Sequence, residues 1–212
     1  MGIPNNIPCG NCMLIAVTQS NVWFIEELFR HDDVKKYYVL RDDHAANIRS
    51  FCQYIVNSNI QNASLNYIIF NDYGDEVGFI SAEPVMNRAT GMPMWNVGYA
   101  VHPAHRRKGY ASSAVTGLSN YLLQNFSFQQ VMLDICEENI ASTNVAKKCG
   151  FSKPDDRTGY FDMEHPEIGM RFRWFKQLAG NRTVLFNQAV HFYRQKQYAE
   201  AVDAFNKALK EP

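Results

Sequence analysis

The sequence predicts a mixed α/β (α+β) protein, a largely antiparallel central sheet flanked by helices and followed by a C-terminal helical hairpin. Three observations predict it. Short apolar runs recur with turn residues between them. Two of these runs lead into segments whose apolar residues fall at three- and four-residue spacing. After Gly180-Asn181 the strand-like runs stop and only helical spacing continues.

In chain order, Met13 to Val17 reads as a strand, and Ser20 and Asn21 as caps of a helix over VWFIEELF. His44 to Asn57 reads as a helix, because Ala45, Ile48, Phe51, Cys52 and Ile55 share one face. LNYIIF and EVGFISAE flank the turn Asn71-Asp72-Tyr73-Gly74-Asp75 and predict a hairpin. After a loop near Thr90 to Pro93, WNVGYAVH is a strand stopped by Pro103. The helix after Gly109 buries Ala111, Ala114, Val115, Leu118 and Leu122. Val131 to Ile135 is a strand broken by Asp134, and Ser142 to Cys149 a short helix closed by Gly150. Tyr160 to Met163 and Gly169 to Phe175 form a last pair of strands. In the tail, Leu185, Ala189, Phe192, Tyr198, Ala201, Phe205 and Ala208 recur as two packed helices joined around Lys196-Gln197.

Composition narrows the function. The chain has 212 residues, 46% hydrophobic and 20% charged, enough for one good core and a small appendage. Lys plus Arg and Asp plus Glu are equal at 21 each, so no global field steers it to nucleic acid or to an anionic membrane. An anion site must be built locally. No apolar run reaches the roughly 20 residues of a membrane helix, and the polar start MGIPNNIPCGN lacks the pattern of a signal peptide, so a cytoplasmic location is expected. Five scattered cysteines suit reduced thiols. Cys9-x-x-Cys12 has metal-ligand spacing, but no second Cys or His pair stands at zinc-finger distance, and no metal is expected.

The segment GYAVHPAHRRKGYASSAV carries the chemistry: a strand ends, passes through a basic loop and enters a helix at a glycine. The first amides of a helix have no internal partners and point beyond its start, a geometry suited to a pyrophosphate. Gly109 lets the backbone approach, Arg106, Arg107 and Lys108 add positive charge, and Ala111 is small. A Rossmann reading fails, because that fingerprint needs three glycines and this loop has Gly109 alone. Further on, Asn139-x-x-Ser142-x-x-Val145-Ala146 ends in Cys149-Gly150-Phe151. Taken alone, Asn139 and Ser142 also read as helix caps.

In Arg106-x-x-Gly109-x-Ala111 the chain resembles the GNAT acetyltransferase superfamily, whose acetyl-CoA loop runs Arg or Gln, two residues, Gly, one residue, then Gly or Ala. The Asn139 to Phe151 segment looks like the region that closes over the pantetheine arm, and the resemblance spans roughly Met13 to Phe175. It is strongest toward the branch that acetylates ribosomal-protein N-termini, which also holds small-molecule acetyltransferases. The resemblance implies the GNAT fold over residues 1–178 and acetyl-CoA as co-substrate. It also implies direct transfer of the acetyl group, in a ternary complex, to a primary amine on a protein N-terminus or a small molecule. It implies cofactor contacts from Val101, His102 (through its backbone), Arg106, Arg107, Lys108, Gly109, Tyr110, Ala111, Asn139 and Asn144. Backbone amides near Val101 would polarise the thioester carbonyl.

Two positions depart from the pattern. Relatives commonly place a glutamate just ahead of the Val-Gly pair, where this chain has Asn96, and a general-acid tyrosine where it has Ala146. In the ribosomal-protein-like branch Ser142 matches a serine that donates to the leaving thiol, and Asp162 and Glu164 are the carboxylates nearest to that branch's base. These three form the catalytic expectation. No covalent intermediate is required, so Cys136 and Cys149 read as core residues. His105 reads as a surface loop residue, although it and His102 could titrate near neutrality.

Residues 181–212 resemble a single tetratricopeptide repeat, with Ala189, Phe192, Ala201, Phe205 and Ala208 in matching places. One repeat cannot bury both its faces, so it packs on the core, pairs with a second copy in a homodimer, or recruits a partner protein. A second function follows: an acetyl-CoA sensor or scaffold without catalysis, with the repeat as its interaction arm.

Overall fold

The computed structural model describes residues 3–38, 40, 47–87, 91–126, 128, 130–153, 169–177, 185, 189–190, 192–193 and 196–210, with the backbone alone at 160–161. Among them, eight strands form one sheet. These are β1 (Asn6–Cys9), β2 (Cys12–Ala16), β3 (Leu65–Asn71), β4 (Glu76–Met86), β5 (Pro93–Val101), β6 (Gln130–Cys136), β7 (Tyr160–Phe161) and β8 (Met170–Gln177). Their order is β1-β2-β3-β4-β5-β6-β8-β7. Every neighbouring pair is antiparallel except β5 and β6. The helices are α1 (Trp23–Leu28), α2 (Asp32–Lys35), α3 (Ile48–Ile60), α4 (Tyr110–Asn125), α5 (Ile140–Lys148) and α6 (Tyr198–Lys210), with a 3-10 turn at Pro103–His105.

Helices cover both faces, which explains why β3 reads apolar without alternation. On one face Tyr67 and Ile69 pack with Ile80, Leu133 and the α4 residues Leu118 and Leu122. On the other, Ile68 and Phe79 meet Ile25 and Leu28 of α1 and Phe51 and Ile55 of α3. Leu118 and Leu122 are fully buried, and each such side chain contributes about 1.5–3 kcal/mol.

The local boundaries shift for identifiable reasons. The polar start contains β1, whose Ile7 and Cys9 turn inward while Asn6 and Pro8 face out, an alternation too short to read against its prolines. Cys9 and Cys12 face each other across the turn into β2 as buried free thiols, and burial pushes them up to about 12 and about 11. Helix α1 is entered at Val22 without a side-chain cap. Asn21 instead accepts from Thr18 N–H and donates to Ala16 O, tying off the turn. Asn47 caps α3 at Ile48, accepting from Arg49 and Ser50 N–H, and the expected start at His44 lies outside the described residues. Helix α5 begins at Ile140, ahead of the expected Ser142, because Asn139 is its cap. In the tail, a turn at Lys196 with φ +59° precedes α6, which buries Ala201, Ala204 and Ala208.

Candidate active site

The site is made by two strands that part. β5 and β6 share only the parallel pairs Trp95↔Val131 and Asn96↔Met132. Beyond them β5 follows β4 as far as Val101, and β6 follows β8 as far as Cys136. A cleft of about 910 Å³ opens where they separate. Successive residues of a strand send their backbone groups to opposite edges. His102 N–H donates to Val77 O on the β4 side (2.9 Å), so Val101 presents its backbone to the cleft, where Arg106 Nε donates to Val101 O (3.3 Å).

At the end of β5 the basic loop turns into α4. Arg107 (φ +64°) and Gly109 (φ +87°) are both left-handed, and Gly109 caps α4 with no side-chain bond to the first turn. A Cβ on Gly109 would meet nothing closer than Asn11 Nδ2 at 3.7 Å, so the backbone angle, rather than space within the fold, calls for glycine. The amides of Tyr110, Ala111 and Ser112 open the helix with its positive end toward the cleft. Asn11 anchors the loop by donating to Lys108 O (3.0 Å), and Arg106 pairs with Asp33 of α2 (3.0 Å).

Ser142 and Asn144 of α5 line the opposite wall. Asn139 also lines it, but its side chain accepts from Ser142 N–H (3.1 Å), the capping role that the sequence allowed. Tyr99 reaches across from β5. Its hydroxyl is buried beside Ser142, and burial pushes it up to about 12 against a hydrogen-bonding interaction with Ser142, which lowers it.

The sheet face toward α1 and α3 supplies the rest of the lining. Tyr38 and Ser81 hydroxyls lie 3.0 Å apart, and burial raises the Tyr38 phenol. Glu83 stands beside Asn96 across the β4–β5 ladder. Arg171 Nε donates to Asp134 (3.2 Å) in a pair whose side chains are only 10% and 17% exposed. The sequence reading missed Glu83, Tyr38 and Arg171, because cross-strand neighbours carry no fixed spacing along the chain. Tyr99 was visible inside a motif without a role.

Of the expected cofactor residues, Val101, Arg106, Arg107, Gly109, Tyr110, Ala111, Asn139 and Asn144 come together around this one cleft. His102 and Lys108 do not line it: the His102 amide is committed to Val77, and the Lys108 carbonyl to Asn11. His102 turns its ring to His31, with Nε2 atoms 3.0 Å apart, while its Nδ1 accepts from Ala104 N–H. Asp162 and Glu164 lie outside the described residues. Cys136 and Cys149 are buried. Among the described residues no cluster of His, Cys, Asp or Glu is arranged to hold a metal, and no helix is long and apolar enough to cross a membrane.

A parted parallel pair with a basic loop and a helix start free of side-chain caps at its mouth makes a cleft suited to an anion, and comparison with known proteins gives the family. Residues 14–152 match the acetyltransferase (GNAT) domain family, and the chain belongs to that family. Among solved structures, a GNAT-family acetyltransferase from Bacillus anthracis is 19% identical, covering 81% of this chain and 98% of its own, with a TM-score of 0.62. Ribosomal-protein-S5-alanine acetyltransferase from Vibrio fischeri is 14% identical, covering 81% and 96%, with a TM-score of 0.65. Spermidine N-acetyltransferase from Vibrio cholerae, solved with CoA and spermine, is 14% identical, covering 79% and 95%, with a TM-score of 0.63. No curated protein matches the sequence. At these identities the likeness shows a shared fold.

Proposed function

We propose that the chain binds acetyl-CoA in the cleft and transfers its acetyl group to a primary amine, of a protein N-terminus or a small molecule, by direct attack in a ternary complex. One observation carries the reading: the amides that open α4, the left-handed pair Arg107 and Gly109, and two arginines converge at the mouth of the splay between β5 and β6. Such a cradle suits a pyrophosphate.

Acetyl-CoA supplies an acyl group activated as a thioester. On this reading the α4 amides with Arg106 and Arg107 hold the phosphates, and Asn144 and the Asn139 turn border the pantetheine arm. Val101 N–H donates to the carbonyl oxygen as negative charge gathers there. The Ser142 hydroxyl donates to the departing sulfur, with the Tyr99 phenol beside it. The acceptor amine enters from the face of Tyr38 and Glu83. Residues 1–178 act as the transferase domain in this proposal, and 181–212 as a repeat-like arm for a second copy or a partner protein.

Asn96 and Ala146, where relatives hold a glutamate and a tyrosine, favour a second reading: an acetyl-CoA sensor without turnover. Calorimetric titration with acetyl-CoA, followed by thiol release on adding amines and Ala- or Ser-starting peptides, decides. Binding with amine-dependent thiol release supports transfer, binding alone supports the sensor, and no binding at millimolar acetyl-CoA sinks both.

A further inference from the structure

We propose that Glu83 is the proton acceptor for the incoming amine, delivered from β4 to the place where the family's carboxylate would stand on β5. The inference rests on the acetyltransfer reading above.

Its basis is register. Glu83 and Asn96 are direct partners in the antiparallel β4–β5 ladder, and directly opposed residues project to the same face with Cβ atoms about 4.5–5.5 Å apart. A carboxylate moved from residue 96 to residue 83 therefore stays on the same face, one strand over. Asn96 is also the last β5 residue paired with β6, so Glu83 stands beside the vertex from which the cleft opens. Both line that cleft.

Gly98, the next β5 residue on the same face, has no side chain, and the Tyr38 hydroxyl closes over it: a Cβ there would stand 3.1 Å from Tyr38 Oη. Tyr38 is near enough to feel the Glu83 charge, which acts to raise its phenol. The Asn96 Oδ1 atom is buried with no hydrogen-bond partner among the described residues, a polar acceptor at the same spot suited to an N–H of the amine. Among the described residues, the other carboxylates lining the cleft are Asp33, on α2 at the phosphate end, and Asp134, on the far strand β6. Neither is next to the vertex on β5.

The acceptor, an ammonium at neutral pH, first sheds one proton to the Glu83 carboxylate, and the neutral nitrogen then bonds to the acetyl carbon, its second proton passing on to the departing sulfur. The carbon–sulfur bond breaks with its electron pair leaving on sulfur, which is protonated to the free thiol, and Glu83 returns its proton to solvent. No oxidant, reductant or metal is needed to balance the step.

The test uses the full chain, acetyl-CoA, and two probe acceptors: an Ala-starting peptide, whose amine is protonated at physiological pH and must lose that proton before it attacks, and hydroxylamine, which arrives already neutral. Glu83→Gln is expected to lower kcat with the peptide about a hundred-fold, to lower it less than about tenfold with hydroxylamine, and to leave acetyl-CoA affinity within about threefold. Restoring the carboxylate on the partner strand, in Glu83→Gln with Asn96→Glu, is expected to recover at least about tenfold of the loss. Peptide turnover by Glu83→Gln within about threefold of wild type, or equal losses with both acceptors, overturns the role of Glu83 while leaving acetyltransfer standing. Wild-type protein that fails to bind acetyl-CoA, or binds it without turning over either acceptor, overturns the underlying reading and this one with it.

Discussion

His31 and His102 stand edge to face with their Nε2 atoms 3.0 Å apart, joining the start of α2 to the end of β5. Because His102 Nδ1 accepts from Ala104 N–H, neutral His102 carries its proton on Nε2 and donates to His31. Protonating His102 would cost the bond from Ala104 N–H and set a cation beside Arg106. Burial first, then His31, His105 and Arg106, hold His102 below the ordinary value of 6.5, with Glu27 opposing. A histidine pKa depressed by folding means stability fully present above the unfolded value and lost as pH falls through the lower folded one. Thermal unfolding from about pH 7 to about pH 5 is expected to fall more steeply for wild type than for His102→Gln. Parallel curves would show that the His102 shift does not bear on stability.

Gly109→Glu is expected to weaken acetyl-CoA binding at least about a hundred-fold, since it places a side chain on a backbone at φ +87° and a negative charge at the positive end of α4. Calorimetry on folded variant protein checks this. Unchanged affinity removes the phosphate site from the mouth of the cleft.

Tyr99→Phe separates activity from stability. The wild-type hydroxyl is buried beside Ser142, so its removal trades that one interaction against the cost of burying a polar group, and the melting temperature should hold within a few degrees. If Tyr99 assists Ser142 at the departing sulfur, the same variant loses about tenfold in kcat, as does Ser142→Ala, with acetyl-CoA affinity within a few-fold. A melting temperature many degrees lower in Tyr99→Phe would mean that the interaction with Ser142 outweighs that cost.

Gly117→Ala is expected to destabilise the protein by about 1–3 kcal/mol, despite alanine's better helix propensity, because the new Cβ would lie 2.0 Å from Cys9 Sγ and 2.9 Å from Cys9 Cβ. Chemical denaturation measures it, and adding Cys9→Ala should return part of the loss.

The sequence was most legible where one short segment does the whole job. The strand before Pro103, the Arg106-x-x-Gly109-x-Ala111 loop and the helix after it are continuous in the chain, and they are continuous in the structure. Their chemistry follows from helix ends and backbone angles, which are local. What stayed hidden depends on alignment between distant segments. Glu83 is an ordinary acidic residue until the ladder sets it opposite Asn96, and Asp134 looks like a flaw in an apolar strand until Arg171 closes on it from β8. Asn139 shows the reverse case: its motif was plain, and its side chain serves the helix.

Two residue pairs are all the backbone pairing between the strands on either side of the cleft, Trp95↔Val131 and Asn96↔Met132. The sheet is thus a hinge of two leaves with α4 packed across them, and the edges that face each other past the hinge carry backbone groups without a ladder. If acetyl-CoA binds as proposed, the amides of its pantetheine arm would meet those edges in the manner of a missing strand. On the acetyltransfer reading, closing that gap adds stability, so resistance to heat and proteolysis is expected to rise with the concentration of acetyl-CoA.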